Sequence, residues 1–199
     1  MKRFAIDVVI LPPDPVMDYA IKWNRELRKI RPANIVLSKE HRLPHISLAM
    51  GCLAEDRLEE ALTLLQTTTS SFGALDLHIP GIKGVGTTAG DTVVSFDIEL
   101  SSSLASLHQA IVISLSSLLT QDATEADLAG PPPIEPWCTE WINQYIPNHC
   151  FGNFWPHITL GFGTQYRDFP PYSFKASRVA ICHLGNHCTC RRVLGEVNV

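Results

Sequence analysis

The sequence predicts an α+β fold built by internal duplication, with two similar halves facing one another across a cleft. Three observations lead there. The pattern Pro-His-Ile-Ser-Leu at 44–48 returns as Pro-His-Ile-Thr-Leu at 156–160. Each copy closes a run that reads strand, long helix, strand. The chain has 199 residues, enough for one domain or for two small lobes sharing a cleft. The reading is a single domain over 1–199, with lobes of roughly 1–74 and 75–199 and an insertion at about 121–150.

Phe4–Leu11 is short, rich in Val and Ile, and ended by Pro12-Pro13, which marks a strand. Asp14-Pro15 supplies an N-cap with Pro in the first turn. Met17, Ala20, Ile21, Asn24, Leu27 and Ile30 then recur at helical spacing, predicting an amphipathic helix over 14–30. Leu43–Met50 reads as a strand and Asp56–Gln66 as a second helix. In the second half Leu75–Ile79 is a short strand, Gly81–Asp91 a glycine-rich turn and Thr92–Leu100 a strand. Ser101–Ser103 caps a helix whose Leu104, Leu107, Ile111, Leu115 and Leu118 form one apolar stripe. Trp155–Phe162 is an aromatic, apolar strand. Ser177–Leu184 and Cys188–Val197 flank Gly185-Asn186 as a hairpin. From strand start to histidine is 41 residues in the first half and 65 in the second, and the difference of 24 matches the insertion, which holds Pro131-Pro132-Pro133. Two copies are too few for a stacked array.

Composition narrows the function. The formal charge is −4, with 45% hydrophobic and 18% charged residues, an ordinary globular balance that excludes a disordered chain. A slightly acidic chain does not coat duplex DNA, although a local basic pocket still takes one phosphate. No apolar run approaches the roughly 20 residues a membrane helix needs. The opening run contains Asp7 and ends in prolines, so it reads as a strand and not as a signal peptide. The expectation is a cytoplasmic monomer with its six cysteines reduced.

On a strand, residues i and i+2 share a face. His45 therefore shares a face with Ser47, and His157 with Thr159, while Ile46, Leu48, Ile158 and Leu160 turn to the other. Two facing halves bring two imidazoles and two hydroxyls to one cleft. That set suits phosphodiester chemistry: one neutral histidine takes a proton, one charged histidine gives one, and the hydroxyls donate to phosphate oxygens. The scheme requires no metal and no cofactor. A chain of this composition yields about half a match to His-x-Ser/Thr-hydrophobic by chance, so one copy means nothing. The signal is the second copy, with the same Pro, Ile and Leu.

The two motifs, each late in a strand–helix–strand half, resemble those of the 2H phosphoesterase superfamily, which includes 2'-5' RNA ligase-like proteins and 2',3'-cyclic phosphodiesterases. The resemblance implies a bilobal α+β fold, antiparallel sheets lining a central cleft, and helices outside. It implies His45 and His157 as the catalytic pair, with Ser47 and Thr159 on the substrate phosphate. The expected substrates are 2',3'-cyclic phosphates on RNA ends or on small nucleotides. The rivals are 2'-5' phosphodiester cleavage or ligation, and a non-catalytic RNA-end binder.

Other residues are open to two readings. Lys83 and Arg42 (and Arg191 and Arg192) are either solvated charges or phosphate contacts. Trp155 and Phe162 flank the second motif and are candidate base-stacking groups. Trp137, Trp141, Ile142 and Tyr145 predict a helix in the insertion, serving either as packing or as a lid. Cys182, His183, His187, Cys188 and Cys190 crowd together, but they lack the paired spacing of structural zinc and alternate between faces, so no metal site is expected. His41, His78, His108 and His149 lack the motif and read as surface residues.

Overall fold

The computed structural model describes residues 2–32, 35–86, 90–164 and 169–199. In chain order the elements are β1 (Arg3–Leu11), α1 (Asp14–Ile30), β2 (Ile46–Ala54), α2 (Leu58–Thr69), β3 (Leu75–Ile79), β4 (Ile82–Gly86) and β5 (Thr92–Asp97). Then come α3 (Ser102–Leu115), α4 (Pro136–His149), β6 (His157–Phe162), β7 (Tyr172–Ala176), β8 (Arg178–Gly185) and β9 (Thr189–Asn198). Among the described residues seven strands form one antiparallel sheet in the order β4-β5-β6-β2-β1-β8-β9, and β3 pairs with β7 apart from it.

The α+β class holds, and the duplication read from the repeat fits this order. The two halves are not separate sheets: they join edge to edge where β2 meets β6 through the pair Ile46 and Ile158. The closing hairpin β8–β9 does not stay with the second half but lies beside β1. Each motif strand also carries one extra residue against its neighbour. β2 skips Leu48 between Ala49 and Ser47, and β6 skips Leu160 between Gly161 and Thr159. A bulge bends a strand and re-aims its side chains, here at the same motif position in both halves.

Helix α1 buries Val16, Met17, Ala20, Ile21, Asn24 and Leu27. Helix α3 buries Leu104, Leu107, His108, Ile111, Val112 and Leu115. Both contribute to the core that holds Ile46, Leu48, Ile158 and Leu160. Ser101 caps α3, its Oγ accepting from Leu104 N–H at 3.2 Å. Asp14 is not the N-cap of α1. Pro13 takes that place, and Asp14 stands in the first turn, where a negative charge meets the exposed N–H groups.

The Gly81–Asp91 turn needs correction. Ile82–Gly86 is an edge strand on β5, because backbone pairing needs no apolar side-chain alternation there; residues 87–89 lie outside the described residues. His108 is another departure, being only 1% exposed. The insertion does hold a helix, α4, packed against β2 and the Asn186–Cys188 turn. Arg3 ties the insertion to β1 through bonds to Asp122 and Asp127 of 2.9–3.2 Å.

Ala129 N–H donates to Leu184 O at 2.7 Å, holding the insertion along the end of β8. A Cβ on Gly185 would stand 2.6 Å from Ala129 O, a backbone atom, and 2.5 Å from Arg191 Cγ. Gly185→Ala is therefore expected to cost about 1–3 kcal/mol through overpacking and to lower the melting temperature. Thermal unfolding followed by circular dichroism checks this; an unchanged midpoint would mean the segment moves aside freely. Among the described residues no helix is long and apolar enough to cross a membrane.

Candidate active site

Proline precedes both motif histidines and confines the residue before it to extended backbone. That aims the carbonyl two positions upstream at each ring. His45 Nδ1 bonds Leu43 O at 2.7 Å, and His157 Nδ1 bonds Trp155 O at 3.0 Å. A carbonyl only accepts, so each Nδ1 carries hydrogen and each neutral ring presents a lone pair at Nε2. The repeated proline thus sets one tautomer in both halves.

Counting outward from the Ile46–Ile158 pair, antiparallel register sets His45 across from Thr159 and Ser47 across from His157. All four side chains share one face at the centre of the sheet, and each is partly buried. The two imidazoles are close enough for the charge of one to disfavour charge on the other. Burial pushes His45 down to about 4, opposed by its bond to Leu43 and assisted by His157. Burial also lowers His157, opposed by its bond to Trp155 and by Asp97, with Lys83 assisting. Both rings are therefore held neutral in the free protein.

Two buried side chains hold the motif backbones in a crossed arrangement. Asn24 of α1 donates to Leu160 O at 2.8 Å in the second motif, and to Ile35 O at 2.9 Å in the loop before the first; it also accepts from Leu37 N–H at 3.0 Å. His108 of α3 bonds Leu48 O at 2.8 Å in the first motif and accepts from Phe151 N–H at 2.9 Å in the loop before the second. Each helix thus anchors the bulged residue of the other half. His108 bonds a carbonyl through one nitrogen and an N–H through the other, which fixes it as neutral, and it stacks on Phe154 at 3.8 Å. Sequence reading placed it on the surface because no single-strand or helix pattern reports a cross-half bond.

Asp7 was equally hidden. It stands in β1 with no exposed surface, beside Met50 of β2 and Cys182 of β8. Its Oδ2 accepts from Ser47 Oγ at 2.6 Å and lies 3.6 Å from His45 Nε2. The available signal was one acid inside an eight-residue apolar run.

Trp155 stacks on His157 at 4.2 Å, donates from Nε1 to Asp97 at 2.7 Å, and carries Lys83 Nζ over its ring at 5.0 Å from the centre. Lys83 and Trp155 thus adjoin the second histidine. Phe162 lies elsewhere, within ring contact of His187 at 5.8 Å and of Arg31 at 5.7 Å. Arg42 takes a positive φ of 59° and feels both Arg191 and Arg28.

The crowded C-terminal residues disperse. His183 bonds Asp127 O at 2.9 Å, His187 faces Trp137, and Cys188 Sγ turns to Cys138 O. All six cysteines are free. Asp7, His45 and Cys190 bring one donor atom each within 4.8 Å of one another. Burial pushes the Asp7 carboxyl and the Cys190 thiol up and His45 down, which favours the uncharged form of each.

The family model of the 2'-5' RNA ligase superfamily matches residues 20–186. No curated protein matches the chain by sequence. Among solved structures, TT0787 of Thermus thermophilus is 16% identical, with 98% of this chain and 97% of that one aligned at a TM-score of 0.60. LigT of E. coli in its apo form is 10% identical, covering 100% and 98% at 0.53. LigT complexed with 3'-AMP is 11% identical, covering 100% and 99% at 0.51.

Proposed function

The chain belongs to the 2'-5' RNA ligase superfamily of 2H phosphoesterases, and from that premise we propose that it opens 2',3'-cyclic phosphates on RNA ends or nucleotides by metal-independent acid/base catalysis. One observation carries the reading. Two imidazoles on one sheet face are each tied at Nδ1 to the carbonyl two residues upstream, and each leaves Nε2 to exchange protons. One Nε2 takes a proton from water as its oxygen attacks phosphorus, and the other protonates the ribose oxygen that leaves. Ser47 and Thr159, beside them on the same face, donate to the non-bridging oxygens as charge builds. Lys83 sits near His157 as a counter-charge for the phosphate, and Trp155 stacks that ring. The LigT complex with 3'-AMP favours a nucleotide end as ligand. Free buried thiols favour a cytoplasmic setting.

The test incubates the protein, with EDTA present, with a nucleoside 2',3'-cyclic phosphate and with a short RNA bearing the same end. ³¹P NMR identifies the product isomer. Ring opening is expected on at least one of the two. Cleavage or joining of a 2'-5' linkage without ring opening would transfer the assignment to that rival chemistry. Binding of the RNA end without turnover at any pH would make the protein an RNA-end binder.

A further inference from the structure

The two halves match closely around the histidines but differ at one position. Val9 pairs with Ser47 and Ser95 with Thr159, each just past the bulge, so Asp7 of β1 corresponds to Val93 of β5. A carboxyl stands beside the first histidine where the second half has an isopropyl group. Asp7 is fully buried, and its Oδ1 has no hydrogen-bond partner among the described residues. An unsatisfied buried carboxylate oxygen is strongly unfavourable, whereas a carboxylic acid in the same place costs far less.

The groups facing Asp7 do not neutralise an anion. They are Ser47 and the Leu48 N–H on β2, His45 just before it, Cys190 on β9, Cys188 in the hairpin turn, Tyr145 on α4, and Cys150 after it. Burial accordingly pushes the carboxyl up while it pushes His45 down. His157 faces Asp97, Lys83 and His45, and no carboxyl corresponds to Asp7 on its side.

We propose that Asp7 and His45 hold one proton between them and together form the general acid, which makes His157 the general base. The inference rests on the phosphoesterase reading above. In the free protein the shared proton resides on Asp7. The negative phosphate of the substrate draws it onto His45 Nε2. The water oxygen then bonds phosphorus, and His157 Nε2 takes the proton that water loses. The bond from phosphorus to the ribose oxygen breaks, and that oxygen takes the proton from His45. Solvent restores the proton to the Asp7–His45 pair and removes the one on His157. Water is consumed and a phosphomonoester and a hydroxyl are formed. Asp7 touches no substrate atom, so it is a positioning residue acting through His45.

The test is Asp7→Asn, which keeps an acceptor for the Ser47 hydroxyl and removes the titrating group. The first readout is NMR titration of the His45 ring in the substrate-free protein, which needs no turnover. In the wild type the resonance should shift above neutral pH, as the pair loses its proton. In Asp7→Asn that step should vanish and leave His45 to titrate alone near 4. The second readout is the pH profile of kcat/KM. The variant should have its alkaline limb moved down toward the His45 step and fall about 100-fold or more at pH 7, with Asp7→Glu restoring part of both.

A wild-type His45 with a single step near 4 overturns the proposal even if Asp7→Asn fails to fold. So does a variant whose rate falls evenly with an unmoved profile, the behaviour of a merely structural residue. If the titration behaves as expected and cyclic phosphates are not opened, the proton pair stands and the substrate reading is what fails.

Discussion

Alanine at His45 or at His157 is expected to lower ring opening by about 10²–10⁴-fold, the usual range for one positioned acid or base. The two losses should be similar in size but opposite in pH response. Without the acid, the leaving ribose oxygen departs as an alkoxide, and the residual rate should climb toward low pH, where solvent can supply a proton. Without the base, the residual rate should climb toward high pH, where hydroxide replaces activated water. The double variant should lose little more than either single one, because two groups serving one transition state are not additive. Steady-state rates across pH 5–9 test all of this. A variant that retains the full rate would remove that histidine from the mechanism. Circular dichroism of each variant separates loss of the acid or base from loss of the fold, since the His45 side chain is only 14% exposed.

The second large effect falls on a residue that touches no substrate. Asn24→Leu keeps the branched shape and removes every polar bond, leaving Ile35 O, Leu37 N–H and Leu160 O without the Asn24 side chain. Each buried group so abandoned costs about 1–3 kcal/mol, so the three together cost about 3–9 kcal/mol against a typical total of 5–15. Urea unfolding should show a lower midpoint at an unchanged slope. Activity should fall as well, because the Leu160 carbonyl is where α1 fixes the bulge behind His157. A variant as stable as the wild type would mean that water satisfies those groups.

His108→Leu is the matching change in the other half, and it adds a pH signature. His108 is held neutral by burial, below its ordinary value of about 6.5, while the unfolded chain protonates it normally. The unfolded state therefore binds the extra proton, and its contribution to stability is full above about 6.5 and declines as pH falls below that. His45 and His157 act with the same sign in both proteins. The difference between the wild-type and His108→Leu stability curves should consequently narrow toward acid, whereas Asn24→Leu should run parallel to the wild type.

The repeat, the strand–helix order and the four motif residues were legible along the chain because each depends on short-range periodicity. Alternation alone puts His45 with Ser47, and His157 with Thr159. The repeated proline even fixes the ring tautomer, since it aims a carbonyl only two residues away. Bounds were less legible: β2 starts at Ile46 and not at Leu43, because the loop before it is held by Asn24 and by a lone bridge from Leu43 to Cys190. The glycine-rich β4 escaped because an edge strand is recognised by its partner's backbone rather than by its own side chains.

What only the tertiary structure decided are the relations that cross the duplication. That β2 and β6 pair through Ile46 and Ile158, that α1 anchors the second motif and α3 the first, and that β8–β9 returns to β1 are contacts between residues tens of positions apart or more. Asp7 shows the physical reason most plainly. Its position in β1 was readable as an acid in an apolar run. Its meaning comes from a Ser 40 residues away at 2.6 Å, and from burial that no local pattern reports. Sequence periodicity determines which face of its own element a side chain occupies, and the register between strands determines which groups from other elements share that face.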